Sequence, residues 1–440
     1  MLLALLALTS AQEPVLESLR LDPTVAVLDN GLTVIVHEDH RSAVVATSLL
    51  YRVGAAEDVG PSGLGRTGKA HLFEHLMFEG SANVPQGGSD AGFDAMLAEA
   101  GATNNAWTSH DWTVYQIQGP PGALDLALFV ESDRMGWLLE GLSDEDLTNQ
   151  QGVVSNERLG DEASDTVYPL YALGWLLYPE GHPYRWPVLG TMADIREVPR
   201  EELEGFFHTW YGPDNAVLVI VGDVYPAEAL ASARRWFDEV PRLEQAAPAR
   251  AEGTPHELLG SERWRMLNDQ DDPALLMAWP TVPRGHPDEP ALDVLALILS
   301  GGRGTRLDDA LFYERDVASS VSTWTSNGRL GGEFVISLTR DDRRLGPLLR
   351  RADRQLRRVR REGVDQAEVD RVLSWWAGAT IRELEDIESL ADVLNECQQV
   401  WGEPDCLGRE LSRYMAVTAE DVQRVANTWL GDDRVLLSVV

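Results

Sequence analysis

The sequence predicts an α+β protein, organised in α/β layers, with two related domains that are each a sheet backed by helices. Three observations predict this fold class: the chain length, an internal repeat, and the alternation of short strand patterns with longer helical ones. The 440 residues suffice for two or three domains with full-sized cores. A hydrophobic fraction of 44% with 14 Trp excludes an intrinsically disordered chain.

A segment near the middle of the chain is repeated at its end. Val198–Val221 and Val417–Val440 align without a gap at an offset of 219. Both segments predict an amphipathic helix, a Trp-x-Gly-x-Asp turn and a β-branched strand. A match of this kind at half the chain length indicates duplication. The positions with identical counterparts are Val198, Glu201, Thr209, Trp210, Gly212, Asp214, Leu218 and Val221.

Composition places the joint between the two halves. Residues 244–255 (EQAAPARAEGTP) mix Ala, Pro, Gly and charges without periodicity, which is typical of a linker. We therefore predict domains over residues 22–243 and 256–440. Residues 1–21 begin with MLLALLALTSAQE, an apolar run ending in small residues like a secretory signal. This segment predicts a periplasmic or secreted protein, and a cytoplasmic one if it is not a signal.

The coarse secondary structure follows from hydrophobic periodicity. Short runs rich in β-branched residues predict strands, and longer amphipathic stretches predict helices. The predicted strands are Thr33–His37, Val44–Tyr51, Thr113–Gln118 and Ala216–Val221. The predicted helices are Ala123–Leu139, Gln366–Leu384 and Glu388–Val400.

Charge and apolar content limit the partners. The net charge of −34 argues against a nucleic-acid partner, because an acidic protein repels phosphate. No stretch after the leader reaches the ~20 apolar residues of a membrane span.

The two cysteines, Cys397 and Cys406, are close enough in sequence for one local disulfide in an oxidising compartment.

The segment with the most chemical information is Gly68–Ser81, GKAHLFEHLMFEGS. His71 and His75 are four residues apart and therefore lie on one face of a helix. Two imidazoles on one face can provide two of the three protein ligands of a catalytic zinc. Glu74, at the edge of that face, can take a proton from water and deliver it to a leaving amine.

A third ligand has to come from elsewhere in the chain. Glu157, Asp161 and Glu162 lie within two helical turns of one another. Their spacing does not decide which of the three is the third metal ligand. His110 and His182 are further histidines, and for both we favour a hydrogen-bonded structural role over metal binding.

The sequence resembles the family of pitrilysin, insulin-degrading enzyme and the mitochondrial processing peptidase. HLFEH is similar to the inverted zinc-peptidase motif His-x-x-Glu-His. Further blocks that resemble the family are Gly101–Ile117, Val153–Arg158, His182–Thr191, Trp210–Val224 and Ser300–Leu307. The resemblance implies two tandem homologous domains, each with a mixed, largely antiparallel sheet, that form half of a clam-shell chamber.

The resemblance also assigns roles to individual residues. It implies that His71, His75 and Glu157 bind one Zn²⁺ per chain and that Glu74 is the general base. Glu157 is chosen because VVSNE resembles the block that carries the family's third ligand. The domain over 256–440 has no such metal motif.

Two more residues receive roles from the same comparison. Gln150, seven residues before Glu157, stands where the processing-peptidase branch has a glutamate that supports the metal site. A glutamine there can hydrogen-bond a ligand but adds no charge. Asn105 stands in a strand that resembles the one beside the metal, which can pair with the substrate backbone.

One departure from the family concerns the second domain. Many active members carry an Arg and, seven residues later, a Tyr that hold the substrate carbonyl, and here the positions are Phe312 and Ser319. The chain therefore resembles a metal-bearing subunit that completes its chamber with a homologous subunit, in a hetero- or homodimer. We predict a zinc-dependent endopeptidase acting on peptides or unfolded segments. The alternatives are a non-catalytic structural or assembly subunit of the same family and a zinc-binding protein without turnover.

Overall fold

A computed structural model describes residues 20–60, 65–85, 92–164, 167–251, 253, 262–266, 273–313 and 317–440. The predicted leader over residues 1–21 lies outside these ranges except for Arg20 and Leu21. Of the predicted linker, residues 252, 254 and 255 also lie outside them.

The described strands form two sheets. The first has the order β1-β2-β6-β3-β5-β4 and the second has the order β7-β11-β8-β10-β9. The strands of the first sheet are β1 Thr24–Val27, β2 Thr33–Glu38, β3 Val45–Tyr51, β4 Thr103–Thr108, β5 Thr113–Gly119 and β6 Ala216–Gly222. Those of the second are β7 Glu262–Met266, β8 Ala274–Thr281, β9 Ser320–Asn327, β10 Gly332–Thr339 and β11 Val435–Val439.

Helices connect and cover these strands. In the first half they are α1 Ala55–Asp58, α2 Lys69–Leu76, α3 Phe93–Glu99, α4 Leu124–Gly141, α5 Asp144–Glu162, α6 Val167–Leu177, α7 Met192–Glu197, α8 Arg200–Trp210 and α9 Pro226–Phe237. In the second half they are α10 Glu289–Leu299, α11 Gly346–Glu362, α12 Gln366–Glu383, α13 Ile387–Trp401, α14 Leu407–Met415 and α15 Ala419–Trp429. None of the helices in the described ranges combines the length and apolar character needed to cross a bilayer.

The two sheets have equivalent topologies. In the first, β6 pairs in parallel with β2 and antiparallel with β3. In the second, β11 pairs in parallel with β7 and antiparallel with β8. The repeated segment explains this equivalence, because α8 and β6 recur as α15 and β11 at the predicted offset. The predicted fold class is confirmed: each sheet is mixed, largely antiparallel and backed by helices.

The two halves are joined by an exchange of helices. Helix α13 of the second half packs on β3 and β6 of the first sheet, where Leu390 and Leu394 meet Val217 and Val219. Helix α6 of the first half packs on β8 and β11 of the second sheet. Each sheet therefore has one face covered by the other half, and the two halves share buried apolar surface.

The domain boundary remains a proposal. The segment 244–255 falls between α9, which packs on the first half, and β7, the edge strand of the second sheet. This position supports a joint there.

Near the other end of the chain, Cys397 of α13 and Cys406, just before α14, form a disulfide.

An ion cluster between the two halves holds the hairpin β9–β10 against the first half. This interdomain ion cluster consists of Glu57, Asp111, Arg250, Arg329 and Tyr184. The Arg329 Nη2 atom lies 2.7 Å from a Glu57 oxygen, and Arg250 Nε donates to the same oxygen at 3.1 Å. Asp111 accepts from the backbone N–H of Arg329 and from the Tyr184 hydroxyl, both at 2.7 Å. Residues distant in sequence thus meet around two carboxylates whose side chains are only 7% and 5% exposed.

We expect Asp111→Asn to lower the free energy of unfolding by about 3 kcal/mol. Breaking a buried charge network costs about 3–5 kcal/mol, and the partly exposed arginines bring the value to the lower end. Asp432→Asn is the control, because that carboxylate is 91% exposed and 3.7 Å from its partner, Arg360. Urea unfolding of both variants measures the difference, and equal effects would contradict a role for the cluster.

Candidate metal centre

The helix that carries the two histidines is fixed at its start by a buried carboxylate. Asp58 accepts hydrogen bonds from the backbone N–H groups of Gly68 and Ala70, at 2.6 and 2.9 Å. Gly68 has a φ of 86°, and a Cβ there would lie 2.6 Å from the Leu189 carbonyl oxygen. Leu72, with other apolar residues of α2, is buried in the first core. The orientation of α2 is therefore set by capping at one end and by packing along its length.

His71, His75 and Glu157 converge on one point. The Nε2 atoms of His71 and His75 lie 3.8 and 3.3 Å from the two carboxylate oxygens of Glu157. The possible ligand atoms of the three residues all lie within 4.8 Å of one another. In the described ranges, this is the one group of three or more such residues able to hold a metal ion.

The protonation states of His71 and Glu157 suit metal binding. Burial lowers the pKa of His71 to about 4, with a smaller effect of His75 in the same direction, so the ring is neutral near pH 7. The hydrogen bond from His75 lowers the pKa of Glu157, which keeps that carboxylate ionised. Burial lowers the pKa of His75, but its contacts with Glu157, Glu74 and Gln150 outweigh this and raise it. A bound cation requires the neutral form of both rings.

These three side chains fit a zinc ion. Tetrahedral zinc with bonds of about 2.0–2.2 Å needs ligand atoms about 3.3–3.6 Å apart. The separations of 3.8 and 3.3 Å run from His71 and His75 to different oxygens of Glu157, and the possible ligand atoms lie within 4.8 Å of one another, so the arrangement is somewhat wider than this range. Two imidazoles with one carboxylate form a donor set typical of catalytic zinc, which leaves a fourth position for water or substrate.

Glu74 lies next to the three ligands and is held by a threonine. Thr108 at the end of β4 donates a hydrogen bond of 2.5 Å to the Glu74 carboxylate. Burial raises the pKa of Glu74, which makes this carboxylate a better proton acceptor. The charges of His75 and Glu157 also act on this group, so it shares their electrostatic environment. The sequence motif does not predict the role of Thr108, because this residue contacts Glu74 only through the packing of β4 against α2.

Gln150 and Asn105 have different surroundings. The Gln150 side chain hydrogen-bonds His75 and donates to a carboxylate oxygen of Glu79. Glu79 lies in the segment Gly68–Ser81, but no sequence pattern predicts its contact with Gln150. Asn105 is exposed on β4, where its side-chain oxygen accepts from the backbone N–H of Ala106. β4 is one of the two edge strands of the first sheet in the described ranges.

The other two candidate ligands on α5 have partners of their own. Asp161 accepts a hydrogen bond from the Tyr171 hydroxyl, and Glu162 lies 3.3 Å from the guanidinium of Arg158. Neither belongs to the group of converging ligands.

The two additional histidines have structural partners, as expected. Nε2 of His110 is 2.9 Å from the carbonyl oxygen of Trp186. His182 Nδ1 accepts from the backbone N–H of Tyr184 at 3.1 Å.

Among the described residues of the second half, the helix that corresponds to the metal helix carries no metal motif. α10 follows β8 and packs on β9, as α2 follows β3 and packs on β4. Its sequence, EPALDVLALIL, contains no histidine. Phe312 is 40% exposed and packs edge-on against Tyr313, and Ser319 donates a hydrogen bond to Asp341.

Comparisons with known proteins match both halves. The model described as insulinase (peptidase family M16) matches residues 33–158, and the one described as peptidase M16 inactive domain matches residues 197–374. The zinc protease PqqE of Helicobacter pylori is 25% identical over 414 residues, covering 92% of this chain and 89% of that protein. A probable mitochondrial-processing peptidase subunit beta of Schizosaccharomyces pombe is 25% identical over 424 residues, covering 94% and 90%.

Solved structures have the same fold. A protease from Helicobacter pylori has a TM-score of 0.86 at 23% identity, covering 95% of this chain and 99% of that one. The periplasmic protease PqqL from Escherichia coli has a TM-score of 0.75 at 19% identity, and the match covers 95% of this chain and 47% of that one.

Fold and site together define a class of protein: a two-domain, zinc-protease-like chain with an inverted His-x-x-Glu-His motif on its first half. Within that class, this chain belongs to the insulinase family, peptidase family M16.

Proposed function

We propose that this protein is a zinc-dependent endopeptidase that hydrolyses peptides or unfolded polypeptide segments. The observation that carries the proposal is the convergence of His71, His75 and Glu157 beside the Glu74 carboxylate. A purely structural subunit has no need of a proton acceptor next to a metal site with an open position. The set of residues therefore favours catalysis over the alternative of a non-catalytic assembly subunit.

The proposed chemistry divides between the ion and the chain. Zn²⁺, when bound by His71, His75 and Glu157, supplies Lewis acidity that polarises a carbonyl and makes water more acidic. Glu74 accepts the proton of the attacking water and returns it to the leaving nitrogen. Thr108 orients the Glu74 carboxylate through its hydrogen bond. Gln150 orients the His75 ring.

The edge strand β4 offers a place for the substrate backbone. Its outer edge lacks a strand partner among the described residues, and its end at Thr108 contacts Glu74. A peptide that adds to this edge as an extra strand would run past the metal ligands. In this proposal the contribution of Asn105 comes from the strand backbone, since its exposed side chain accepts from the adjacent N–H.

We further propose that the chain acts with a homologous subunit and outside the cytoplasm. Phe312 and Ser319 in place of an Arg/Tyr pair leave the carbonyl-holding role to another chain, and one relative is named as a subunit of a processing peptidase. The disulfide between Cys397 and Cys406 supports an oxidising compartment. The structural similarity to a periplasmic protease is compatible with that location.

The test is cleavage of a defined peptide mixture by purified, zinc-loaded protein, followed by mass spectrometry. We expect internal cleavage products, with or without addition of a co-purifying homologous chain. Zinc-loaded protein that leaves every peptide intact, alone and with its partner, would favour the assembly-subunit alternative.

A further inference from the structure

Helix α11, Gly346–Glu362, concentrates positive charge in an otherwise acidic chain. Residues 343–361 contain nine of the 37 basic residues, all of them arginines, and one acid, Asp353. In the whole chain, 71 Asp and Glu outnumber 37 Lys and Arg. The surfaces of soluble proteins normally intersperse the two signs, so a block of one sign marks a candidate interaction surface.

Four of these arginines form a row along one side of the helix. Arg350, Arg354, Arg357 and Arg361 are spaced by four, three and four residues, and all are exposed. On an α-helix this spacing gives a row about 16 Å long, which we call the arginine stripe. The residues on the opposite side of α11 are buried in the second core, and they are Leu348, Ala352, Leu356 and Val359. The stripe therefore points away from the body of the protein.

The guanidinium groups of the arginine stripe have no hydrogen-bond or ion-pair partner within the described ranges. The two acids of α11 are paired with other arginines instead. Asp353 lies 2.7 Å from Arg434, and Glu362 lies 2.8 Å from Arg358. Four cations in a row thus remain available to a partner from outside the chain.

The arginine stripe lies on the side of the second sheet that is opposite to α6. Helix α11 packs in the core on one face of this sheet, with Met277 and Ile336. Helix α6 of the first half packs on the other face, in the cluster that includes Leu276 and Val335. A partner bound to the stripe therefore leaves the contact between the two halves in place.

The chemistry of the stripe fits a surface of phosphate groups. Guanidinium groups bind phosphate through paired hydrogen bonds. Stable protein–protein interfaces have an apolar core, but the exposed residues of α11 are charged, with Gly346 as the exception. The headgroup layer of an anionic bilayer needs no such core and presents phosphates along the full length of the stripe. Because the apolar side of α11 is buried, the helix would bind through charge without inserting.

The net charge of −34 does not prevent this contact. At about 0.15 M salt, charges interact over a Debye length of about 8 Å, so a bilayer at the stripe is affected mainly by the residues around it. In residues 343–361, arginines outnumber acids nine to one. The acidic remainder of the chain favours a single orientation, in which α11 faces the bilayer and the other surfaces face away.

We propose that the arginine stripe of α11 is a docking surface for a bilayer of anionic phospholipids. The inference goes beyond the proposed peptidase function and uses no residue of the candidate metal centre. Binding through the stripe is reversible and sensitive to salt, because it depends on charge alone.

The test is flotation of the purified protein with vesicles of equimolar phosphatidylglycerol and phosphatidylcholine, compared with vesicles of phosphatidylcholine alone. We expect the wild type to bind only the anionic vesicles at about 0.05 M salt and to dissociate at about 0.5 M salt, where charges are screened. The double substitution Arg354→Gln and Arg357→Gln should weaken binding by about 30-fold, at about fivefold per arginine. Substitution of all four stripe arginines by Gln should abolish it.

A second double variant controls for the change in net charge. Arg196→Gln with Arg234→Gln removes the same charge from two exposed arginines of the first half and should bind like the wild type. Circular dichroism checks that every variant is folded. Equal losses in the two double variants, wild-type binding by the four-arginine variant, or a wild type that binds no anionic vesicles at low salt would overturn the proposal.

Soluble poly-glutamate separates a bilayer from an acidic polypeptide as the partner. Labelled poly-glutamate is titrated with the wild type and with the four-arginine variant, and the binding is followed by fluorescence anisotropy. We expect poly-glutamate to bind more weakly than the anionic vesicles at equal concentration of negative charge, because it has no phosphate and no fixed surface. Stripe-dependent binding of poly-glutamate by a protein that does not bind the vesicles would assign the stripe to an acidic protein and overturn the lipid proposal.

Discussion

Glu74→Gln is expected to reduce peptide hydrolysis by about 10²–10⁴-fold while the protein keeps its zinc. The amide has the same shape as the carboxylate and can still form a hydrogen bond with Thr108, whose hydroxyl donates to Glu74. It cannot accept the proton of water or return it to the leaving nitrogen. The loss should appear in kcat, because Glu74 is not among the three converging ligands.

The measurement is kcat and KM on a cleaved peptide, with metal content determined on the same samples. Glu201→Gln, an exposed glutamate at the start of α8, is the matched control and should keep full activity. A Glu74→Gln enzyme that hydrolyses at the wild-type rate would show that another group is the base.

Removal of the metal is expected to abolish hydrolysis, and restoring zinc is expected to recover it. Without the ion, the chain has no Lewis acid to polarise the carbonyl, and Glu74 alone is too weak a base to activate water. The fold should survive, since both cores form without contributions from the three ligands. Activity and far-UV circular dichroism are measured before chelation, after chelation and after zinc addition.

Two results of that experiment would contradict a catalytic role for the zinc ion. Hydrolysis that continues at full rate in excess chelator would remove the metal from the mechanism. Loss of secondary structure on chelation would indicate a structural zinc, for which four protein ligands are the rule.

Much of the fold could be predicted from local sequence. The strands over residues 33–37, 44–51, 113–118 and 216–221 were found within a residue of their ends, because buried β-branched runs have a strong signal. The internal repeat predicted the equivalence of β6 and β11 because it preserves both the helix face and the turn. Pairing partners such as the parallel contact of β2 with β6 depend on distant residues and could not be predicted in this way.

In the candidate site, too, residues close together in the sequence could be predicted, and the distant one could not be predicted from spacing. His71, Glu74 and His75 lie on one helical turn, so their spacing alone predicts a common face. Glu157 could be selected from its neighbours on α5 only through the family resemblance. Physical spacing could not reveal that Asp161 and Glu162 have partners of their own.

Contacts that tune the site come from tertiary packing. Asp58 caps α2 across a loop, and Thr108 reaches Glu74 because β4 is the edge strand beside that helix. No local pattern marks Asp58 or Thr108, since one is an ordinary acid at the end of the short helix α1 and the other an ordinary threonine at the end of a strand.

The most direct test of the central claim is a zinc titration of Glu157→Gln against Glu162→Gln. The two glutamates lie on the same helix and have side chains 42% and 38% exposed, so they differ mainly in their position relative to His71 and His75. We expect one zinc per wild-type chain, unchanged affinity for Glu162→Gln, and affinity weakened by about 100-fold or more for Glu157→Gln. Equal, wild-type affinity of both variants, or a wild-type chain that binds no zinc, would contradict the assigned metal centre.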